Sequence, residues 1–173
     1  MTRPLMPVLG LAMLLAIPAH AQTTARAFVD GQVVARELAS SAAAITDLMD
    51  RGNKLAVDGK FRKAAHAFHA AAAAQLRVGE LPDVALWQEA NMYFALGDNA
   101  HAAATLATLG ERASEYGNPV AEVRAKMNAA LLYARVGDVE RAATLTTELQ
   151  TLRKSPFIGD ELRAELDLRL GRQ

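Results

Sequence analysis

The sequence predicts an all-α protein, and three observations carry that expectation. One short phrase occurs three times, as Gly59-Lys-Phe-Arg-Lys-Ala64-Ala65, Gly97-Asp-Asn-Ala-His-Ala102-Ala103 and Gly137-Asp-Val-Glu-Arg-Ala142-Ala143. Its glycines lie 38 and 40 residues apart (97−59 and 137−97), a period typical of stacked helical hairpins. Apolar residues between the copies recur at helical spacing, and no run alternates apolar and polar residues as a half-buried strand would.

The chain starts with Arg3, an apolar run from Val8 to Ile17, and Pro18-Ala19-His20-Ala21. A charged start, a short apolar centre and an Ala-x-Ala site form the pattern of a secretory signal peptide, so residues 1–21 are expected to be removed after Ala21. Ten apolar residues fall short of the roughly 20 that a bilayer-spanning helix needs. Residues 22–44 are an N-terminal segment in which Val33, Val34 and Leu38 suggest a short helix, while Ala42–Ala44 could simply extend the first hairpin backward.

From Ile45 to Val57 the residues Ile45, Leu48, Met49, Leu55 and Ala56 share one helical face, and Asp58-Gly59 ends the run. A second helix is expected over Phe61–Arg77, broken by Gly79-Glu-Leu-Pro82, with Asp83 placed to cap the third, which reaches Leu96. After Gly97, Asp98 caps a fourth helix running into Ala113. Tyr116-Gly117-Asn118-Pro119 closes that hairpin, a fifth helix covers Val120–Val136, and Asp138 caps a sixth reaching Arg153. Ser155-Pro156-Phe157 interrupts, and Gly159-Asp160 opens a last helix with Leu162, Leu166 and Leu170 in line. Its charged residues suit the solvated face of a terminal cap, which a repeat stack needs because nothing else covers its end.

Removal of the leader would leave 152 of the 173 residues, enough for one domain, here residues 45–171. The full chain carries 19 basic and 19 acidic residues. That balance gives no electrostatic footprint for nucleic acid or a membrane surface. There is no cysteine, hence no disulfide and no lipoprotein attachment point after the leader. A periplasmic or secreted bacterial protein, soluble after signal cleavage and held together by burial alone, is the expected class.

The chain resembles the tetratricopeptide repeat family, which couples a small residue, a tyrosine three later, a turn glycine and then Ala-x3-Phe on the second helix. The copies run Gly52, Leu55, Gly59, Ala64, Phe68 and Ala71, then Ala90, Tyr93, Gly97, Ala102 and Leu106, then Ala130, Tyr133, Gly137, Ala142 and Thr146. The resemblance covers residues 45 to about 154 and implies a short right-handed solenoid of three antiparallel hairpins with a C-terminal capping helix. The periods exceed the family's usual 34, and the extra residues are expected in the second helices or the loops after them.

In that family the first helix of each hairpin lines a concave face. Carried onto this chain, the face offers Met49, Asn53, Ala56, Trp87, Asn91, Phe94, Arg124, Met127, Asn128 and Leu131. Asn53 and Asn91 lie one repeat apart, and an amide can bridge to the backbone of a bound peptide. Asn53 and Arg124 resemble two members of the basic clamp by which some relatives hold a terminal carboxylate, but Met49 and Asn128 stand where further basic residues belong. A mixed apolar and amide groove is therefore expected.

Catalysis has little material. The sequence after the leader has four serines, none in a Gly-x-Ser-x-Gly elbow, and no phosphate-binding glycine loop. His66 and His69 are spaced to share a helix face, and His101 opens the corresponding helix one hairpin later, but no adjacent carboxylate completes a metal site. Neither a metal nor a cofactor is expected. The resulting expectation is a non-catalytic adaptor that binds a peptide or helix, with homo-oligomerisation left open. Two rival readings are a self-assembling or auto-inhibited module in which residues 22–44 fill the groove, and a metal or small-ligand binder built on His66 and His69.

Overall fold

A computed structural model describes residues 19–171, with side chains from Arg36 onward. Among the described residues there are seven α-helices and no strand: α1 Ala19–Val57, α2 Phe61–Arg77, α3 Asp83–Ala95, α4 Asn99–Glu115, α5 Pro119–Arg135, α6 Val139–Arg153 and α7 Asp160–Leu170. The charged and apolar parts of the expected leader lie outside the described residues. Residues up to Leu38 form one unit, whose described part is the N-terminal stretch of α1, and Ala39–Gln173 form a second.

Residues 22–44 form no separate short helix and instead extend the first helix of the first hairpin backward, α1 running unbroken from Ala19 to Val57. The 22–44 stretch contains no proline and is rich in alanine, and its one glycine, Gly31 after Asp30, does not end the helix. From α2 onward each helix packs on the next in sequence, with α4 against α5 the most extensive pair.

The five turns from α1 to α6 have one construction. At Gly97 the amide donates to the Phe94 carbonyl at 2.9 Å, and the Asp98 amide donates to the Tyr93 carbonyl at 2.9 Å. The same pair of bonds recurs at Gly59, Gly79, Gly117 and Gly137. This double bond closes a helix C-terminus only when the glycine position is left-handed, and Gly97 has φ 75°. A side chain there would meet nothing within 4 Å, so conformation alone selects glycine.

In the second and third copies the residue after the glycine also starts the next helix. Asp98 accepts from the His101 amide at 3.2 Å, and Asp138 from the Arg141 amide at 3.1 Å. Each carboxylate has a further contact to the side chain of that same residue, with His101 Nδ1 at 2.7 Å and Arg141 Nε at 2.6 Å. His101 stacks on Tyr93 at 5.2 Å, and the Arg141 guanidinium lies 4.6 Å above Tyr133. Turn, cap and repeat tyrosine are thereby one unit, and the His101 contacts hold the Asp98 carboxyl below its ordinary 3.8. Asn118 caps α5 through the Ala121 amide at 3.1 Å, with Pro119 in the first turn. Asp83 differs from expectation: Pro82 occupies the cap position and Asp83 is the first helical residue, where its carboxylate still faces the positive helix end.

The helix interfaces are lined by alanine. Ala64, Ala71, Ala85, Ala102, Ala113, Ala125 and Ala129 are fully buried, and the main core cluster joins α2, α3, α4 and α5. A second cluster sets Val123 and Met127 of α5 against Leu149 of α6 and Ile158, Leu162 and Leu166 at the C-terminal end. The repeat's small and large positions compensate one another. A Cβ on Gly52 would lie 2.6 Å from the ring of fully buried Phe68, whereas the next copy combines Ala90 with the smaller Leu106.

Gly110 plays a similar part in α4. A Cβ there would lie 2.7 Å from Cγ of Lys126, whose stem crosses the α4–α5 interface. The Lys126 ammonium lies 2.8 Å from Glu122 and 2.9 Å from Glu148 of α6. Burial, the largest influence, pulls the lysine pKa down, but hydrogen bonds and charge from the two carboxylates together raise it above 10.5.

Three outcomes follow for denaturant unfolding. Gly97→Ala loses about 1 kcal/mol from the left-handed backbone alone, whereas Gly52→Ala loses about 1–3 kcal/mol by overpacking despite its better helix propensity, and Phe68→Leu in the same chain recovers part of the loss. Lys126→Ala strands the buried Glu122 and costs about 3–5 kcal/mol, most of which Lys126→Met with Glu122→Gln restores.

Candidate protein-binding groove

Three depressions succeed one another along the side of α5. The first, of about 380 Å³, lies between the N-terminal halves of α3 and α5 and is lined by Asp83, Val84, Trp87, Gln88, Val120 and Arg124, with Leu109 of α4 and Asn118. The second, of about 250 Å³, lies toward the C-terminal ends of the same helices and is lined by Trp87, Asn91, Phe94, Asn128, Leu131 and Arg135, with Leu106 of α4. The third, of about 230 Å³, runs between α5 and the α6–α7 end and includes Met127, Leu131, Thr146, Arg169 and Leu170. Trp87 belongs to the first two and Leu131 to the last two, so the three form one strip.

The tight alanine floor explains why this strip is open. Where α3, α4 and α5 meet, the contacts are made by alanines together with Leu86, Leu106, Leu109, Leu132 and Tyr133, while Trp87, Phe94 and Leu131 stand on the rim. Phe94 is 50% exposed and Leu131 56% exposed, although monomer surfaces seldom cluster large apolar groups this way. Trp87 is half-buried, packed on the main cluster by one side and bordering both depressions by the other.

The structure therefore brings together Trp87, Asn91, Phe94, Asn128 and Leu131, with Arg124 joined through the depression that Trp87 shares. Met49 packs half-buried against the main cluster, Ala56 is half-buried, and Asn53 is exposed on α1; none of the three lines a described depression of the strip. Met127 is only 8% exposed because it fills the second cluster beneath α6 and α7, so its role is packing with a small share of the third depression. Arg124 pairs with Glu165 of α7 at 3.4 Å, and the Asn128 amide donates to the Arg124 carbonyl at 2.8 Å. Leu106, Val84 and Arg135 were not anticipated, and helical spacing of α5 would have placed Arg135 one turn beyond Leu131.

His66 and His69 lie on the exposed side of α2, away from the residues of the strip. The carboxylate that the local sequence lacks comes from α3: Glu89, 5% exposed, has both oxygens 3.2 Å from His69 Nδ1. Burial raises the Glu89 pKa above 4.5, opposed by the charges of His69 and His66 and by the His69 hydrogen bond. Among the described residues no group of three or more histidine, cysteine, aspartate or glutamate side chains is arranged to hold a metal ion, and no helix is long and apolar enough to cross a membrane.

No protein-family model matches the chain, and no curated protein is similar to it.

A carboxyl whose pKa is higher folded than unfolded stabilises most below its unfolded value and loses that contribution as pH rises through its folded value. Wild type, compared with Glu89→Gln, should lose relative stability as pH climbs from about the ordinary 4.5 and level off above the raised value. Urea midpoints of both proteins at closely spaced pH values measure this, and parallel curves would refute it.

Proposed function

We propose that this chain is a non-catalytic binding module, a short tetratricopeptide-like stack of three hairpins closed by α7. It is exported to the periplasm or beyond and captures a peptide or helix of another protein along the α3–α5 strip. One observation carries the reading: Trp87, Asn91, Phe94, Asn128 and Leu131, drawn from two helices separated in sequence by α4, border a single solvent-open apolar depression. Apolar side chains of a partner would be desolvated against Trp87, Phe94 and Leu131, and the amides of Asn91 and Asn128 would meet its backbone.

The repeated turn supports the stack, since one construction at five successive helix junctions gives one hairpin geometry. Cation–π contact between Arg135 and Phe94, 6.0 Å from the ring centroid, holds that ring at the rim where an incoming chain would pass. Half-exposed apolar groups on a rigid scaffold suit binding, because little side-chain entropy is left to lose.

The test is affinity capture from a periplasmic extract with the full tagged chain beside Phe94→Glu and Leu131→Glu variants of unchanged helicity and melting temperature. A protein held by wild type and depleted at least tenfold by each variant is expected. Equal capture by all three would refute the groove as the binding surface.

A further inference from the structure

The chain as a whole is neutral, with 19 basic and 19 acidic residues, but its charges are not evenly matched along the strip. In the first depression the two signs occur together: Asp83 is present, and Arg124 has its partner in Glu165. In the second depression Arg135 is the one charged lining group, and in the third it is Arg169. Neither arginine forms an ion pair among the described residues, whereas Arg112, Arg124, Arg141, Arg153 and Arg163 all do. Two uncompensated guanidinium groups therefore flank the exposed apolar edge at Leu131.

We propose that the occupant of the strip is an acidic segment of another protein, in which leucine or aromatic side chains alternate with aspartate or glutamate. Its apolar groups seat on Phe94 and Leu131, and its carboxylates pair with Arg135 and Arg169. This rests on the binding function proposed above and specifies the partner's chemistry. A guanidinium at the edge of an apolar depression offers paired N–H donors to a carboxylate in a partly dehydrated setting, where a charge-assisted hydrogen bond is stronger than on open surface. A basic segment would instead set its cations beside Arg135 and Arg169 with no carboxylate lining either depression to offset them. From Arg124 to Arg135 the helix rises roughly 16 Å at about 1.5 Å per residue, the reach of about five extended residues at about 3.3 Å each.

The experiment is selection of a random twelve-residue peptide display library on the full chain, followed by titration of the enriched peptides. Trp87, the sole tryptophan and a lining residue of the strip, reports binding by its fluorescence when the peptides lack tryptophan. The expected result is enrichment of peptides carrying aspartate or glutamate beside leucine or aromatic residues. Their binding weakens with salt and falls roughly tenfold or more in Arg135→Glu and in Arg169→Glu. A chain carrying both reversals then selects lysine- or arginine-bearing peptides.

Enriched peptides without acidic residues, bound as tightly by both reversals but lost in Leu131→Glu, would overturn the acidic partner and leave the groove intact. Peptides indifferent to Leu131→Glu and to the arginine reversals, or no enrichment at all, would overturn the groove with it. Equal binding of polyglutamate would remove the apolar half of the proposal. Each variant's melting temperature is measured first, and Arg135→Gln and Arg169→Gln serve as reporters if a reversal unfolds the chain.

Discussion

Close approach of helices through alanine is the constraint on which the rest of this structure depends. Fully buried alanines line the facing surfaces of α2 through α5, and without bulk there the backbones pack tightly. Tight packing has a consequence at the edges. Trp87, Phe94 and Leu131 point away from those facing surfaces and stand at the rim, and a continuous strip opens between them. The same economy of volume governs the exceptions, since Gly52 yields its side chain to Phe68 and Gly110 to the stem of Lys126.

The turns supply the second constraint. A left-handed glycine ends one helix, and in two copies the following aspartate begins the next while gripping a side chain that lies on the repeat tyrosine. That arrangement gives His101 a structural task and removes the need for a ligand to explain it. Where the first copy has Lys60 in the cap position, no side-chain cap forms, and Lys60 instead pairs with Asp58 at 3.0 Å beside the glycine bonds.

Charge inside the fold is handled by pairing, within α5 at Lys126–Glu122 and across helices at Lys126–Glu148 and His69–Glu89. Lys126 is buried between two carboxylates, and Glu89 is buried against His69, so each pair ties neighbouring helices together at sites where alanine gives no directional contact. Such pairs contribute more to register than to net stability, because desolvation offsets much of the attraction.

The helices from α2 onward were legible in the sequence almost to the residue, because glycine, proline and capping aspartate act locally and mark each end before any tertiary contact exists. The extent of α1 was not, since the helix runs straight through Asp30-Gly31, the same dipeptide that ends it at Asp58-Gly59. Legibility of the strip was partial for a related reason. Helical spacing put Trp87, Asn91 and Phe94 on one side of α3, and Asn128 and Leu131 on one side of α5, but spacing also swept in Met127, which the C-terminal end buries. The pairing of Glu89 with His69, the burial of Lys126 and the lack of an ion pair at Arg135 and Arg169 among the described residues depend on side chains from different helices. A sequence by itself determines what each helix offers; only the packing of one helix on another decides which charges are matched, and which side chains remain uncovered.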